Sequence, residues 1–437
     1  MDLESHIKHL HGSEEVDYAP DELVVACLMR DARPYVKSFV EHYFSLGVKH
    51  LVFLDNGSTD GTVEALKQYE NVTILHTELP FKEYKNPLRR YLVTRFGTGR
   101  WILYVDVDEL FDYPYSDVVD LGSFLRYLSE NSYTVVVAQM LDMFPEESLT
   151  GRTSESDESL KERHRYYDVS DITRQSYYTR GDASNTVTNE EIDLHRDGIY
   201  RTIFGHRALL TKHPLMFLDD KLRPIDPGPH WVGGGRVADI SGALYHYKFI
   251  GDFRERVARA VEEESYVNDS SKYKKFLETL ERNPEPLVKR ETAHELMHVN
   301  DLVDNQFLVI SADYVARVDA EEGKSASGDA PEGGRPGRRL AEAFSRISTK
   351  ARTEARVVRF LKHQVELRER RDQRRENRLV EERRRLKTEL DRERRRAAFL
   401  EEKSRNLERQ IHAIQASRSW RLLGRLGRIR ARILGKG

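Results

Sequence analysis

Short, unbroken apolar runs alternate with amphipathic stretches over the first third of the chain. The runs fall at residues 23–29, 50–54, 72–75, 101–105 and 133–140. Their length and their β-branched and aromatic content predict buried strands. Helical patterns begin at Pro34 and near Thr62. Strands that alternate with helices predict an α/β fold with a mostly parallel central sheet and flanking helices.

Changes in composition predict the domain organisation. Residues 1–20 are polar and predict a flexible leader, and residues 21–318 predict one globular domain with a polar insertion at 146–198. Residues 319–338 are rich in Gly, Pro, Ser and Ala and predict a linker. Residues 339–416 contain neither Gly nor Pro and predict a long charged helix, with an imperfect heptad pattern that also permits a coiled-coil homodimer.

The final segment, 417–437, differs again. Leu422, Leu426, Ile429 and Ile433 follow the spacing of one helical face, and arginines lie between them. This pattern is typical of a helix on an anionic membrane surface. RNA binding is the alternative, but no RNA-binding module or base-stacking aromatic cluster accompanies the arginines. We therefore expect peripheral association with the inner face of the cell membrane and no nucleic-acid partner.

The formal net charge of -2 hides a strong asymmetry. Residues 335–437 carry 33 Lys+Arg and 14 Asp+Glu, whereas the rest of the chain carries 38 and 59. The two parts therefore have different functions. The single cysteine, Cys27, excludes an intramolecular disulfide framework. No stretch approaches 18 apolar residues and the first residues are polar, so we expect a cytoplasmic protein without a membrane span or secretory signal.

Three carboxylates follow the apolar run WILYV almost at once: Asp106, Asp108 and Glu109. In an open parallel sheet, ligands bind outside the carboxyl ends of the strands, and acids buried there need a compensating cation. Mg²⁺ and Mn²⁺ bind through one or two carboxylates, water and substrate phosphates. The segment therefore favours a metal site. A strand that ends in a solvated acidic turn is the alternative.

Two polar segments upstream are candidates for nucleotide binding. The loop DNGSTDGT contains Asp55, Asn56 and Asp60. Such a loop, between a strand and a helix N-terminus, often holds a nucleotide, although it is also a common way to turn the chain. The segment KEYKNPLRR supplies Lys85 and Arg89, which could meet a diphosphate or form a solvated helix face.

Three further residues lie later in the chain. Asp142 follows the strand predicted at 133–140, and His230 and His246 lie in the segments PHW and YHYK. An isolated histidine is usually a packed or surface residue, so the histidines are candidates only in combination with the acidic loop.

The order of these motifs, DNGSTDGT, then KEYKNPLRR, then WILYVDVDEL, resembles the family 2 glycosyltransferases of the GT-A fold, in their bacterial branch. The likeness continues through YRTIFGHR, LLTKHPL, PHWV and GALYHYKFIGDF, and covers roughly residues 22–280. Where many members have Asn-Glu before the first helix, this chain has Arg30-Asp31.

This resemblance implies a metal-dependent, inverting transfer of a sugar from a nucleotide-sugar donor to a glycan or lipid-linked acceptor, in the synthesis of cell-surface polysaccharide or glycoconjugates. It implies that Asp106 and Asp108, the DxD element, hold Mn²⁺ or Mg²⁺ against the donor diphosphate. His246, or in second place His230, would complete that site, and Glu109 would orient the loop.

The same resemblance assigns Asp55, Asn56 and Asp60 to the nucleotide. Lys85 and Arg89 are assigned with them to the nucleotide sugar. Inversion needs a carboxylate that deprotonates the acceptor hydroxyl. We assign that role to Asp142 or Asp220.

Two other functions stay open. A sugar nucleotidyltransferase usually has a Gly-rich phosphate loop directly after the first strand, and the sequence after Leu28, MRDARPYV, has none. A membrane-associated coiled-coil scaffold with a degenerate GT-A domain is disfavoured by the intact acidic motif.

Overall fold

The computed structural model describes residues 3–148, 159–177, 184–250, 253–262, 271–284 and 286–327, with scattered positions between 387 and 435. The chain divides into two units, Met1–His363 and Gln364–Gly437. In the second unit, residues 405–411 are helical. The predicted long helix at 339–416 and the basic segment at 417–437 lie almost entirely outside the described residues.

A ten-stranded sheet forms the centre of the first unit. Its strands are β1 Lys8–His11, β2 Val24–Met29, β3 His50–Asp55, β4 Val72–His76, β5 Trp101–Tyr104, β6 Glu109–Asp112, β7 Val135–Asp142, β10 Thr186–Val187, β12 Thr211–Phe217 and β15 Arg236–His246. The remaining strands form three two-stranded sheets: β8 Tyr166–Tyr167 with β16 His294–Glu295, β9 Ile172–Ser176 with β11 Asp193–Asp197, and β13 Arg223–Pro224 with β14 Val232–Gly233.

The strand order of the large sheet is β1-β4-β3-β2-β5-β12-β7-β15-β10, with β6 paired to β15. Strands β4, β3, β2 and β5 are parallel neighbours, as are β7, β15 and β10. Strand β12 lies between these groups and is antiparallel to both of its neighbours. The fold is therefore mixed α/β with a mostly parallel central sheet, which is consistent with GT-A.

Helices connect the strands, as the alternating pattern predicts. They are α1 Val36–Ser45, α2 Thr62–Leu66, α3 Phe81–Gly97, α4 Leu121–Glu130, α5 Leu160–Arg163, α6 Gly198–Phe204, α7 Phe253–Glu262, α8 Ser271–Arg282, α9 Asp301–Asp304 and α10 Ala312–Ser327, with a 3-10 turn at Glu4–His6. None of these described helices has the length and apolar character needed to cross a membrane.

The apolar runs form strands because the sheet is covered on both faces. In β2, Val25 and Cys27 belong to one apolar cluster, while Val24 and Ala26 belong to the cluster on the other face. All four side chains are buried. A strand covered in this way is a continuous apolar run and lacks the alternation of a half-exposed strand. The five predicted strands are accordingly found within two residues of their predicted ends.

The prediction that residues 1–20 are a flexible leader was wrong for the part that the structure describes. Strand β1 pairs antiparallel with β4, and His9 lies opposite Leu75. An added edge strand is held by backbone hydrogen bonds and needs no apolar face, so its polar side chains gave no signal. Gly12 follows at a φ of +82°, and a Cβ there would lie 2.1 Å from the Val72 carbonyl oxygen.

Parts of two other predicted segments, the linker at 319–338 and the insertion at 146–198, form regular secondary structure. Helix α10 continues to Ser327, so residues 319–327 of the predicted linker are helical. Part of the predicted insertion at 146–198 joins the main sheet, because β10 pairs in parallel with β15. The antiparallel pair of β9 and β11 belongs to the same insertion. Hydrogen bonding to neighbouring elements, which composition does not report, orders these polar segments.

Tyr18 joins the leader to the core, and this generates a prediction. Its buried hydroxyl donates to the carbonyl oxygens of Phe96 at 2.7 Å and Trp101 at 3.1 Å. Because Tyr18→Phe leaves both acceptors without this donor, we expect a loss of about 1–2 kcal/mol in the free energy of unfolding, measured by urea denaturation. Tyr69→Phe, at a partly exposed ring, is the control. Equal losses in the two variants would contradict this role of Tyr18.

Candidate active site

The acidic loop is hydrogen-bonded to itself at the end of β5. The chain turns through Asp106 and Asp108 into β6, which begins at Glu109. The Glu109 amide donates to the Asp106 carbonyl oxygen at 3.0 Å. The Asp106 amide donates to Glu109 Oε2, also at 3.0 Å. The Glu109 carboxylate therefore holds the loop in shape, as we expect from the sequence.

Two cations from distant parts of the chain reach the acids of this loop. The Lys212 ammonium, on β12, donates to Asp106 Oδ2 at 2.8 Å and to Glu109 Oε1 at 2.5 Å. The Arg89 guanidinium, on α3, donates to Asp106 Oδ1 at 3.3 Å and to the Tyr104 hydroxyl at 2.9 Å. Both oxygens of Asp106 and both oxygens of Glu109 are therefore engaged.

Burial and these cations act on the pKa values of the loop in opposite directions. Burial raises the pKa of Glu109, and Lys212 offsets this only in part. Burial would also raise the pKa of Asp106, but Lys212 and Arg89 together hold it below its ordinary value. Burial would lower the pKa of Lys212, but its two carboxylate partners raise it. Asp106 and Lys212 therefore form a charged pair at neutral pH.

His246, at the end of β15, lies between two carboxylates. Its Nδ1 atom is 2.6 Å from Asp142 Oδ1, and its Nε2 atom is 3.6 Å from Asp108 Oδ2. Asp142 ends β7, and the register of these parallel strands places it opposite His246. Burial lowers the pKa of His246, but Asp108 and Asp142 raise it to about 9. The ring is therefore aligned by Asp142 and aimed at Asp108.

Asp108 also faces a lysine. The Lys248 ammonium lies 3.4 Å from Asp108 Oδ2. Burial would raise the pKa of Asp108, but Lys248 and His246 hold it well below its ordinary value. Asp108 is therefore a carboxylate at neutral pH.

Within the described ranges, Asp108, Glu109 and His246 form a group whose possible ligand atoms all lie within 4.8 Å of one another. Carboxylate oxygens and an imidazole nitrogen suit Mg²⁺ or Mn²⁺, so the donor set fits a divalent cation. Asp106, predicted as a ligand, is instead bonded to Lys212 and Arg89.

His230, the second histidine predicted for the metal, makes backbone contacts. Its Nδ1 atom lies 2.9 Å from the Thr211 carbonyl oxygen, and its own carbonyl oxygen is 2.6 Å from His213 Nδ1. Burial and the nearby Lys212 lower the pKa of His230 to about 3, so the ring is neutral. The structure brings His230 close to Lys212 but not into the group around His246.

The loop at 55–60 is built by its own polar side chains. Asp55 is buried, and its carboxylate accepts from the amides of Gly57 and Ser58 at 3.1 Å. The side-chain Nδ2 atom of Asn56 donates to the carbonyl oxygens of Thr77 and Leu79. Both side chains thus hold the shape of the loop through hydrogen bonds to the backbone. The nucleotide contacts predicted for Asp55 and Asn56 remain predictions.

Reciprocal hydrogen bonds join this loop to the segment after β2. The Asp31 amide donates to Ser58 Oγ, and Asp31 Oδ1 accepts from the Thr59 amide, each at 2.8 Å. The Arg33 amide donates to Asp60 Oδ2 at 3.0 Å. Asp31 has a φ of 50°, which this pairing holds in place. The departure Arg30-Asp31 thus has a structural role in this chain.

A cleft of about 620 Å³ opens beside the acidic loop. Its lining includes both aspartates of the DxD element and side chains from the loops at 30–33 and 55–60, from α3 and from α7. The polar members are Arg30, Asp31, Arg33, Asp60, Arg89, Asp106, Asp108, Lys248, Arg256 and Arg259. Six of these charged residues are cations and four are acids, and the rest of the cleft lining is apolar or aromatic.

Lys85 and Arg89 lie one helical turn apart on α3, as predicted. Only Arg89 contacts the acidic loop. The Lys85 ammonium lies 5.9 Å from the centre of the Phe81 ring, which lines the cleft. Burial and Arg89 lower the pKa of Lys85.

The two residues predicted as the base have different locations. Asp142 is at the site, although it is bonded to His246. Asp220 is not, because β12 runs antiparallel to β5 with Phe217 opposite Trp101, the first residue of β5. Residues beyond β12 thus lie at the sheet edge opposite Asp106, and the assignment of Asp220 to the site was wrong.

The cations of the site that the sequence did not predict include Lys212, Lys248 and Arg256. A signal for Lys212 exists, because it lies within the apolar segment LLTKHPLMF. A lysine in a buried strand requires a buried anionic partner. Which anion it meets depends on strand order, and the motif does not contain that information.

Residues 24–187 match the family described as "Glycosyl transferase family 2". No curated protein sequence matches the chain. Among solved structures, the chain is similar to S. aureus TarS at 16% identity and a TM-score of 0.22, over 30% of this chain and 26% of TarS. The chain therefore spans about a quarter of the length of TarS.

Two other solved structures show likenesses of the same size. A putative glucose-1-phosphate thymidylyltransferase from Bacillus anthracis has 8% identity and a TM-score of 0.21, over 31% of this chain and 63% of that one. A UDP-glucose pyrophosphorylase has 6% identity and a TM-score of 0.21, over 58% and 86%. Scores of this size carry no conclusion, so the assignment rests on the family match. The chain carries a glycosyl transferase family 2 domain over residues 24–187.

Proposed function

We propose that the protein uses a divalent cation to transfer a sugar, with inversion, from a nucleotide-sugar donor to a glycan or lipid-linked acceptor. Use of such a donor follows from the family. The observation that supports the cation is the meeting of Asp108 and His246 beside a cleft of about 620 Å³. The proposed setting is synthesis of cell-surface polysaccharide or glycoconjugates.

The cation, Mn²⁺ or Mg²⁺, would be held by Asp108 and His246, with Glu109 close by. When bound, it supplies positive charge that stabilises the departing nucleoside diphosphate. As a ligand, His246 presents Nε2 while Asp142 holds Nδ1, an arrangement that fixes both the tautomer and the orientation of the ring.

The cationic side chains of the cleft support binding of the diphosphate. Lys248 and Arg256 both line the cleft, and the Arg256 guanidinium donates to the Lys248 carbonyl oxygen at 2.9 Å. Cations fixed in this way favour the transition state, in which negative charge develops on the leaving group. Arg89 would add to this charge from α3, next to Asp106.

The part of the cleft formed by the loops at 30–33 and 55–60 supports binding of the nucleoside. Asp60 lines it, and the hydrogen bonds between the loops at 30–33 and 55–60 make that wall rigid. We propose that Asp60 and Arg33 contact the nucleoside directly, while Asp55 and Asn56 act through the shape of the loop. Preorganised loops bind ligands with less loss of conformational entropy.

Asp142 is better placed to orient His246 than to act as the base that we assign it from the sequence. It is buried, and its Oδ1 atom is bonded to the imidazole at 2.6 Å. We therefore propose that Asp142 is a positioning residue for the metal ligand.

The family match favours sugar transfer over the nucleotidyltransferase and scaffold alternatives. Membrane association and dimerisation through the C-terminal region stay predictions.

Replacement of Asp108 tests the metal-dependent step. Asp108→Asn removes the charged ligand. We therefore expect the rate of metal-dependent nucleoside diphosphate release from the preferred donor to fall by a factor of about 100 or more. The measurement uses a panel of UDP-, GDP-, CMP- and dTDP-sugars with Mn²⁺ or Mg²⁺, and EDTA as the blank. Asp313→Asn, at an exposed carboxylate, is the control and should keep full activity. Equal activity of folded Asp108→Asn and the control would refute the proposal.

Replacement of Asp142 tests its positioning role. Because Asp142→Asn weakens the alignment of His246, we expect the Mn²⁺ concentration for half-maximal activity to rise about 10–100-fold. Excess Mn²⁺ should restore most of kcat. Asp112→Asn, at a carboxylate that accepts from the Tyr245 hydroxyl, is the control. If Asp142 were the base instead, kcat would fall and no concentration of Mn²⁺ would restore it.

A further inference from the structure

Lys212 is a buried cation in the middle of the acidic group. Its side chain is 4% exposed, and it comes from the antiparallel strand that separates the two parallel parts of the sheet. Residue 212 lies opposite Ala138 of β7, within the sheet and not in a surface loop. Burying a lysine costs free energy unless an anion pairs with it. Asp106 and Glu109 supply that pairing for Lys212, and Lys212 in turn compensates their negative charge.

Lys212 divides the three carboxylates into two classes. Asp106 has one oxygen on Lys212 and the other on Arg89. Glu109 has one oxygen on Lys212 and the other on the Asp106 amide. The Asp108 Oδ2 atom instead accepts from the Lys248 ammonium at 3.4 Å and lies 3.6 Å from His246 Nε2. The Lys212 ammonium thus bonds to two carboxylates of the group, while the third, Asp108, faces Lys248 and His246 beside the cleft.

The inference rests on the divalent cation of the proposed function and concerns which protein groups coordinate it. We propose that Lys212 is a positioning residue that keeps Asp106 and Glu109 out of the coordination of the divalent cation, so that Asp108 and His246 are its protein ligands. With so few protein ligands the cation binds weakly to the protein alone. It is then held firmly only with the diphosphate of the donor, as Mg²⁺ commonly is.

The test measures binding of Mn²⁺ alone to the full-length chain, by titration followed with electron paramagnetic resonance. Lys212→Met removes the ammonium and keeps an unbranched side chain that is one heavy atom shorter. We expect Lys212→Met to bind Mn²⁺ at least about tenfold more tightly than the wild type, because Asp106 and Glu109 are released. Donor turnover should fall in the same variant. Lys221→Met, at an exposed lysine just after β12, is the matched control and should change neither.

The opposite result would overturn the proposal. If Lys212 only supports the fold, folded Lys212→Met will bind Mn²⁺ as the wild type does or more weakly. Absence of Mn²⁺ binding by both proteins, up to about 10 mM, would overturn it equally.

A second pair of variants keeps the test decisive if Lys212→Met does not fold. Asp106→Asn retains an oxygen that can accept from Lys212 or Arg89, and we expect its Mn²⁺ affinity to stay within about threefold of the wild type. Asp108→Asn should lose at least about tenfold. Equal losses in the two variants would overturn the assignment. A wild type that binds Mn²⁺ but turns over no donor would refute the proposed function and leave this inference standing.

Discussion

Three carboxylates at the end of one buried strand are the constraint on which the rest of the site depends. Asp106, Asp108 and Glu109 cannot be held close together, partly shielded from water, without compensating charge. The structure supplies it from elements far apart in sequence: α3 with Arg89, β12 with Lys212, and the end of β15 with His246 and Lys248. The order of the strands in the sheet gathers these cations around the loop.

The antiparallel strand β12 has a specific part in this arrangement. It lies between β5 and β7, so a side chain on it can reach a loop that follows β5. Lys212 uses that position to bridge two acids. The neighbouring parallel pair β7 and β15 places Asp142 and His246 side by side at the same edge of the sheet. One sheet thus carries both the charge compensation and the aligned histidine.

The sequence predicts the local parts of this site well and the long-range parts poorly. The buried strands, the acidic loop and the role of Glu109 could be predicted, because apolar runs and nearby residues determine them. Asp142 and His246 could each be proposed, but their mutual bond depends on the register between β7 and β15. Asp220 was misplaced because nothing in its segment reveals that β12 runs antiparallel to β5. The leader was misjudged because an edge strand is held by its backbone.

The two aspartates of the DxD element have different surroundings, so we interpret them differently. Some charged residues hold the site together, and others are available to bind substrate. In this chain the first aspartate of the DxD element is bonded to Lys212 and Arg89, whereas the second faces His246. Asp55 likewise shapes its loop, and Asp60 borders the cleft. Because we expect replacement of any of these acids to reduce activity, activity alone does not separate the two roles.

The most direct test is the location of the cation itself. Crystals of the full-length protein grown with Mn²⁺ and a nucleoside diphosphate would show the metal by its anomalous scattering. We expect one peak between Asp108 and His246 Nε2, in contact with the diphosphate, with Asp106 still bonded to Lys212. A peak coordinated by Asp106, with the Lys212 ammonium displaced, would contradict the division of the carboxylates described here.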